Sequence, residues 1–476
     1  MAKVALTVGA YQSRTVVASA QRCVNLYMEK NPDDSAFPFT CYPTPGTTLL
    51  STAGAAQYGW RGLYTGTDGQ LYGVCQSTLY LIAQSGALTV LGGLTSYTGA
   101  VSMVDNGTTL IVVDGTTYGY QYTLGTVNSF AVINQDSFYG GDTISFTDGY
   151  FIVNRPNSVE WYISGVDTAI FDSLDFASKS AYLDKLVGLC TAGRYIYLFG
   201  TTTTEVWFNS GATAFPFSRL PGVYIQFGCS SPATIQQMNS QVFWLTQSPQ
   251  GEALVCTTNN YQAVIISTHA LSYELSTYAT LADALSFTYL LNGHMYYVLN
   301  FPTADKTWQY DLSTQQWNEL VWLDIEGIEH RHRANCHAFA YGIHFVGDWQ
   351  TGNLYKWDNE TYTDNGNPIL RLRSFPHSLD NDMNRVLYRE FIADMAVGNG
   401  DGSNNPVPVA LRWSDTRGAS WGNPIYETIG AEGDYLRSVQ FQRLGMSRDR
   451  VFELSWSANV KTSLSGAFVK AKSANE

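Results

Sequence analysis

Charge is scarce in this sequence. Only 14% of its 476 residues are Asp, Glu, Lys or Arg, against about 25% in ordinary soluble proteins. That shortage argues against a disordered chain, a charged linker or a long coiled coil. Positive charge is the scarcer sign. The chain holds 27 Lys and Arg against 40 Asp and Glu, a net charge of −13. A freely diffusing DNA-binding module needs the opposite balance, because Lys and Arg make its phosphate contacts. No apolar run reaches about 18 residues, so no membrane span is expected. The first nine residues lack a full signal-peptide pattern. Cysteine is sparse: Cys23, Cys41, Cys75, Cys190, Cys229, Cys256 and Cys336 are odd in number, widely spaced and free of any Cys-x-x-Cys. This predicts free buried thiols made in a reducing compartment, not a disulfide framework. There is no Walker A motif and no GxGxxG between a strand and a helix. No cofactor and no catalytic residue are expected.

What fills the gap is aromatic and apolar. Hydrophobic residues make up 45% of the chain, aromatics 14%, and there are 42 glycines. With abundant Thr and Val, this composition predicts an all-β protein rich in turns. The acidity is uneven. Residues 1–330 hold 11 basic and 24 acidic residues, whereas residues 331–476 hold 16 of each. All the net charge therefore lies in the first two thirds.

A loose repeat of about 40–50 residues runs through the middle of the chain. Its units open near Arg61, Val101, Thr143, Leu186, Ala233, Ala284 and Ala334. The clearest run apolar strand, tight turn, strongly apolar strand. Asp68-Gly69, Asn106-Gly107, Asp148-Gly149 and Asn292-Gly293 supply the turns, because both dipeptides tolerate positive φ. Small repeated sheets arranged radially make a β-propeller. About seven blades are expected, or six if one unit is a decorated connection. The stretch from Trp308 to Trp317 resembles the strand-turn-strand of a kelch-type blade. Residues 178–189 and 269–285 are the two places where a helix is expected.

Residues 1–58 read as a lead-in, 59–368 as the propeller and 369–476 as a C-terminal β-sandwich. The boundary is Asp364-Asn365-Gly366-Asn367-Pro368, which is turn chemistry. Past it, strands are expected at 369–373, 389–397, 407–413, 452–457 and 460–469.

Few residues suggest chemistry. Glu329-His330-Arg331-His332-Arg333, followed by Cys336 and His337, contains an HxH pair that on a strand would share one face. The two arginines disfavour a cation there. The expectation is a basic inter-blade loop, with His330, Arg331, His332 and Arg333 as interface candidates and no metal. Asp380, Asn381, Asp382 and Asn384 start like a calcium loop but lack its Gly and closing Glu. Ser414-Asp415-Thr416-Arg417-Gly418-Ala419-Ser420-Trp421 is similar to the Asp-box of sialidase-type propellers, a hairpin turn far from catalysis. Arg437, Arg443, Arg448 and Arg450 crowd one stretch. They are either a solvated strand face or a docking surface for an acidic partner, such as the propeller of a second copy.

Three stretches together carry a resemblance. They are Arg22-Cys23-Val24-Asn25-Leu26-Tyr27 with Tyr42-Pro43-Thr44-Pro45-Gly46, then Val346-Gly347-Asp348-Trp349-Gln350-Thr351-Gly352-Asn353-Leu354-Tyr355 with Asp364-Asn365-Gly366-Asn367-Pro368-Ile369, and last Arg443-Leu444-Gly445 with Leu464-Ser465-Gly466. In this order they resemble the packaged-DNA stabilisation, or tail accessory (nozzle), proteins of short-tailed bacteriophages. The resemblance implies a non-enzymatic virion protein assembled in the host bacterial cytoplasm. Six copies would form a ring below the portal and adaptor, extend the DNA channel, retain the packaged double-stranded DNA and anchor tailspikes or tail fibres. A needle or plug protein would close the tip. No catalytic residues carry over. Two rivals remain: a carbohydrate-binding or glycoside-hydrolysing propeller, and a cellular propeller scaffold that binds peptides.

Overall fold

The computed structural model of the chain describes residues 2–4, 9–54, 58–380, 382–399 and 406–473. The repeat is a seven-bladed β-propeller. Six four-stranded antiparallel sheets follow one another along the chain, over residues 60–93, 102–132, 144–178, 186–219, 236–265 and 285–319. The seventh takes three strands from residues 334–358 and its outermost strand from Gly46–Thr52. The inner strands touch in a circle, from Trp60–Thr65 of blade 1 round to Ala334–Ala340 of blade 7, which packs back on blade 1. Each opens within three residues of the position expected from the repeat.

The apolar runs have a direct cause. Side chains on a strand alternate faces, and both faces of a blade are covered by its neighbours. In blade 2, Leu110 and Val112 pack with Tyr72 and Val74 of blade 1, whereas Ile111 and Val113 pack with Phe151 and Val153 of blade 3. The second strand must therefore be apolar at every position. At Asp148-Gly149 and Asn292-Gly293 both turn residues have positive φ, and each pair joins two adjacent ladder partners, Thr147 to Tyr150 and Leu291 to His294. These are the two-residue hairpins that only such residues make cheaply. The kelch-like stretch forms the third and fourth strands of blade 6, Lys306–Asp311 and Gln316–Glu319. The Asp311 carboxylate accepts from Ser313 N at 2.8 Å and Thr314 Oγ1 at 2.9 Å and so fixes the turn.

Beyond the propeller lies a β-sandwich. One sheet runs in the order Val439–Gln442, Val386–Met395, Leu464–Ser473, Phe39–Pro43, Leu26–Lys30. The other runs Cys23–Val24, Arg371–Ser374, Asp449–Trp456, Pro408–Ser414, Ile425–Thr428. This second sheet does not stop at the propeller. Cys23–Val24 also pairs, in parallel, with the outer strand of blade 6, Glu319 opposite Val24. The core is continuous too. Phe243, Tyr297 and Leu299 of blades 5 and 6 belong to the same buried cluster as Phe391, Phe441 and Leu454 of the sandwich. The segment read as a lead-in thus supplies strands to both sandwich sheets and to blade 7, and packing runs across the boundaries marked by chain character.

Two expectations fail in detail. Residues 178–189 are not helical: Lys179, fully buried, forms an ion pair with Asp184 and donates to Tyr182 O, a compact loop that satisfies the ammonium before the inner strand of blade 4 begins at Leu186. In 269–285 the helix covers only His269–Ser276, capped by Thr268, whose side chain accepts from Leu271 N. Its apolar residues Leu271 and Leu275 enter the core shared by blades 5 and 6 and the sandwich.

Candidate functional site

The first resembling stretches, Arg22–Tyr27 and Tyr42–Gly46, and the stretch Asp364–Ile369 meet at one seam, where the N-terminal segment joins blade 6, blade 7 and the sandwich. Asn25 has a positive φ of 50°. Its amide nitrogen donates to Val321 O at 2.9 Å and Leu370 O at 2.8 Å, and its oxygen accepts from Val321 N at 2.9 Å. One side chain thus ties three segments. Arg22 reaches both Glu319, at 2.8 Å, and Glu329, at 2.7 Å. Burial works against its charge, but Glu319 and then Glu329 outweigh it and raise the pKa of the guanidinium. The Trp357 indole donates to Pro45 O at 2.9 Å, and Thr47 Oγ1 donates to the Asp364 carboxylate. Gly46 admits no side chain, because a Cβ there would lie 2.3 Å from Thr361 O. Arg371 and Arg373 are fully buried at the same junction. Arg371 donates to Ala458 O at 2.7 Å and Tyr362 O at 3.0 Å, and Arg373 to Gln21 Oε1 at 3.1 Å. A cavity of about 320 Å³ lies here, lined by Arg22, Lys306 and Arg412 and by Glu319, Glu329 and Glu453.

A larger cavity, about 740 Å³, sits on the propeller axis. Its wall is formed by the inner strands and by loops at one face of the ring. Asp114, Asp142, Asp283 and Arg331 are its charged groups together with Arg61. Arg61 is saturated by Gly99 O, Gln76 O, Ser96 O, Thr98 O and Ser96 Oγ. Burial pushes the Asp142 carboxyl up, against the Asn154 amide that donates to it at 2.8 Å. His337 also lines the cavity. It hydrogen-bonds through Nδ1 to Thr288 O at 2.9 Å and through Nε2 to His344 at 3.0 Å. Burial, then the neighbouring His344, push its pKa down to about 3. The ring is neutral at physiological pH, with Nδ1 carrying the proton.

The residues singled out from sequence fall into separate places. His330 lies between Asp305, at 2.7 Å, and Asp324, at 3.4 Å, and the Asp305 hydrogen bond raises its pKa against burial. His332 lies tilted against Trp357 with ring centroids 5.6 Å apart and accepts from Ala334 N. Burial lowers its pKa. The two imidazoles serve different partners, and among the described residues no group of three or more His, Cys, Asp or Glu is placed to hold a metal ion. Arg331 is buried over the Trp349 ring, 4.1 Å from its centroid, and Arg333 lies 4.4 Å over Trp322 and 3.1 Å from Asp348. These four side chains lie between blades 6 and 7.

Arg450 is also a core residue. It is 1% exposed, ion-paired to Asp415 at 2.6 Å and stacked between Tyr388 and Trp413. Arg437, Arg443 and Arg448 are exposed. Asp380 accepts from the Asn384 amide at 3.1 Å in an exposed loop; Asn381 lies outside the described residues.

The Asp-box-like stretch joins the paired strands Pro408–Ser414 and Ile425–Thr428, a hairpin as expected. Gly418-Ala419-Ser420-Trp421-Gly422 within it also spells Gly-x-Ser-x-Gly. A nucleophile elbow stands between a strand and a helix. Ser420 instead sits in a hairpin turn with its hydroxyl 2.8 Å from that of Thr416. What sequence reasoning passed over is the seam: Arg22, Asn25, Arg371 and Arg373 show no motif chemistry, and their partners lie about 300 residues or more away for the first two. The available signal was charge in otherwise apolar strands.

The family model described as bacteriophage P22 Gp10, beta-propeller, matches residues 2–362, and that described as bacteriophage P22 Gp10, beta-sandwich, matches residues 373–472. No curated protein sequence matches. Among solved structures, the WD40 beta propeller domain of Doa1 is similar at 13% identity, covering 66% of this chain and 96% of that one with a TM-score of 0.40. The computationally designed Ika8 protein is similar at 13% identity, covering 71% of this chain and 100% of that one with a TM-score of 0.39.

Proposed function

The chain belongs to the family of bacteriophage P22 Gp10, structural stabilisation proteins of the virion tail, and from that premise we propose that six copies form a ring that continues the DNA channel below the portal and its adaptor. The ring helps retain packaged DNA and anchors tailspikes or fibres, and a needle or plug closes it. It is a structural part with no catalytic role. The observation that carries this reading is the seam. A continuous sheet and a shared core join propeller and sandwich, so a ring of such units holds its shape against the pressure of packaged DNA. A hinged pair of domains would not.

The DNA path runs between copies rather than through a propeller. A duplex has a major groove about 12 Å wide, and an axial cavity of about 740 Å³ cannot admit the whole helix. The net charge of −13 suits a channel that lets DNA slide, because like charge opposes adhesion of phosphate. The seven free cysteines suit assembly in the host cytoplasm.

Light scattering of the purified chain across concentration and salt, with imaging of the largest species, tests the reading. A six-fold ring of about 316 kDa, six times the 52.6 kDa chain, is expected. A chain that stays monomeric alone and also fails to ring on portal–adaptor complexes would overturn it.

A further inference from the structure

The sandwich continues from blade 6. Blade 3 is three blades away in a ring of seven, so its outer edge lies on the far side of the propeller from the sandwich. That edge is unusual. Its strand, Phe171–Ser178, is eight residues long, against two to six for the other uncovered outer strands, in blades 1, 2, 4 and 5. Its register with the third strand breaks between Tyr162 and Ser164, and Asp172 Oδ1 accepts from Leu174 N at 2.9 Å. Leu174 is 79% exposed, with Ile170 and Phe176 exposed beside it, and Asp172 and Asp175 flank the knob. Long apolar edges are normally blunted or covered, and this one pairs with no other strand among the described residues.

The opposite pole carries the complement. Ile425–Thr428 and Val439–Gln442 are each last in their sandwich sheet, at the edge opposite the N-terminal strands, and they contact one another. Here Leu436 is fully exposed, with Tyr426, Tyr435 and Met446 also exposed. Arg389 and Arg443 are exposed neighbours, joined by a backbone hydrogen bond of 3.1 Å, and neither side chain has an ion-pair partner among the described residues. Arg437 is held by Thr428 O at 3.1 Å and by Asp434 at 3.7 Å, and Glu432 is the other acid of this loop.

We infer that the Leu174 knob of one copy docks on the distal sandwich edge of the next, with Asp172 and Asp175 facing Arg389 and Arg443. Two different, complementary patches at opposite poles make a heterologous contact, which closes into a ring when its rotation permits. The inference rests on the ring reading above and names the surfaces that build it.

Charge reversal tests it, with mass read by light scattering and fold by circular dichroism. Asp172→Arg with Asp175→Arg breaks one face; Arg389→Glu with Arg443→Glu breaks the other. Each doubly substituted chain keeps its fold, since three of the four side chains are exposed and Asp175 is only half-buried, and associates at least tenfold more weakly. Mixing the two kinds makes every contact complementary again, native at one junction and charge-swapped at the next, and gives a ring in which the two kinds alternate. All four substitutions on one chain restore the ring. Wild-type rings that persist in both variants, or a mixture that stays monomeric, overturn the inference and leave the ring reading standing. A wild-type chain that is monomeric at its highest soluble concentration and on portal–adaptor complexes overturns both.

Discussion

Blades 1 to 5 and blades 6 and 7 follow one plan but end differently. The first five take all four strands from consecutive sequence, and among the described residues no further strand covers their outer strands. The last two are finished by remote sequence. Cys23–Val24 covers the outer strand of blade 6, and Gly46–Thr52 is itself the outer strand of blade 7. The chemistry differs as well. Blades 1 to 5 contain no histidine, whereas His294, His330, His332, His337 and His344 all lie in or between blades 6 and 7. Repetition along the chain builds a ring; breaking the repetition closes it and attaches something to it.

The sharpest way to break the comparison is to remove residues 1–52. Blade 7 would lose its outer strand, the sandwich would lose strands from both sheets, and the bridge between them would go. The expected outcome is loss of cooperative unfolding and of near-ultraviolet circular dichroism. A loop insertion of similar length after Gly211, in the exposed connection before the outer strand of blade 4, should leave the thermal midpoint nearly unchanged. A truncated chain that melts like the whole one would erase the distinction.

A smaller effect is expected from single ion pairs. Arg22→Ala leaves Glu319, 8% exposed, without its partner, and removing one side of a buried pair costs about 3–5 kcal/mol. Arg155→Ala in blade 3 removes a pair whose side chains are 42% and 30% exposed, and should cost under about 1 kcal/mol. Denaturant titration of both variants measures the difference, and equal losses would mean that the seam is no stiffer than a blade edge.

The smallest effect concerns pH. The folded pKa of His337 is about 3, while that of an unfolded histidine is about 6.5. Between those values the unfolded chain binds a proton that the folded chain refuses. Its contribution is therefore intact above about pH 6.5 and declines as pH falls, by up to about 1.4 kcal/mol per pH unit. His337→Gln should flatten the fall in stability between pH 6.5 and 5, followed by thermal melts across that range. An unchanged slope would place the pH response elsewhere.

The same contrast explains what could be read from sequence. The seven inner strands were legible because blades form from local sequence with turn dipeptides that leave little choice. The strands at 369–373, 389–397, 407–413, 452–457 and 460–469 each overlap a strand of the sandwich, since alternation is also local. Closure was not legible. Nothing in Gly46-Thr47-Thr48-Leu49-Leu50 says that its ladder partner begins at Asn353. The basic clusters misled for a related reason. Arg331 and Arg450 read as surface charge, but stacking on Trp349 and on Tyr388 and Trp413 lets a guanidinium sit in the interior. The kelch-like turn and the Asp-box-like hairpin were legible because each is a self-contained loop.

The strand Gly46–Thr52 also sets an order of events during synthesis. It leaves the ribosome before any blade exists, yet the strand it must meet, Asn353–Asp358, is translated some 300 residues later. Leu26–Lys30 and Phe39–Pro43 can pair at once, but the free edge of Phe39–Pro43 waits longer still, until Leu464–Ser473 has been made. For most of translation the nascent chain therefore carries unsatisfied β edges at its front, in need of chaperones or speed. A chain that terminates early never hides them. Closure of the propeller waits for Asn353–Asp358 and closure of the sandwich for Leu464–Ser473, so a shortened copy stays conspicuous.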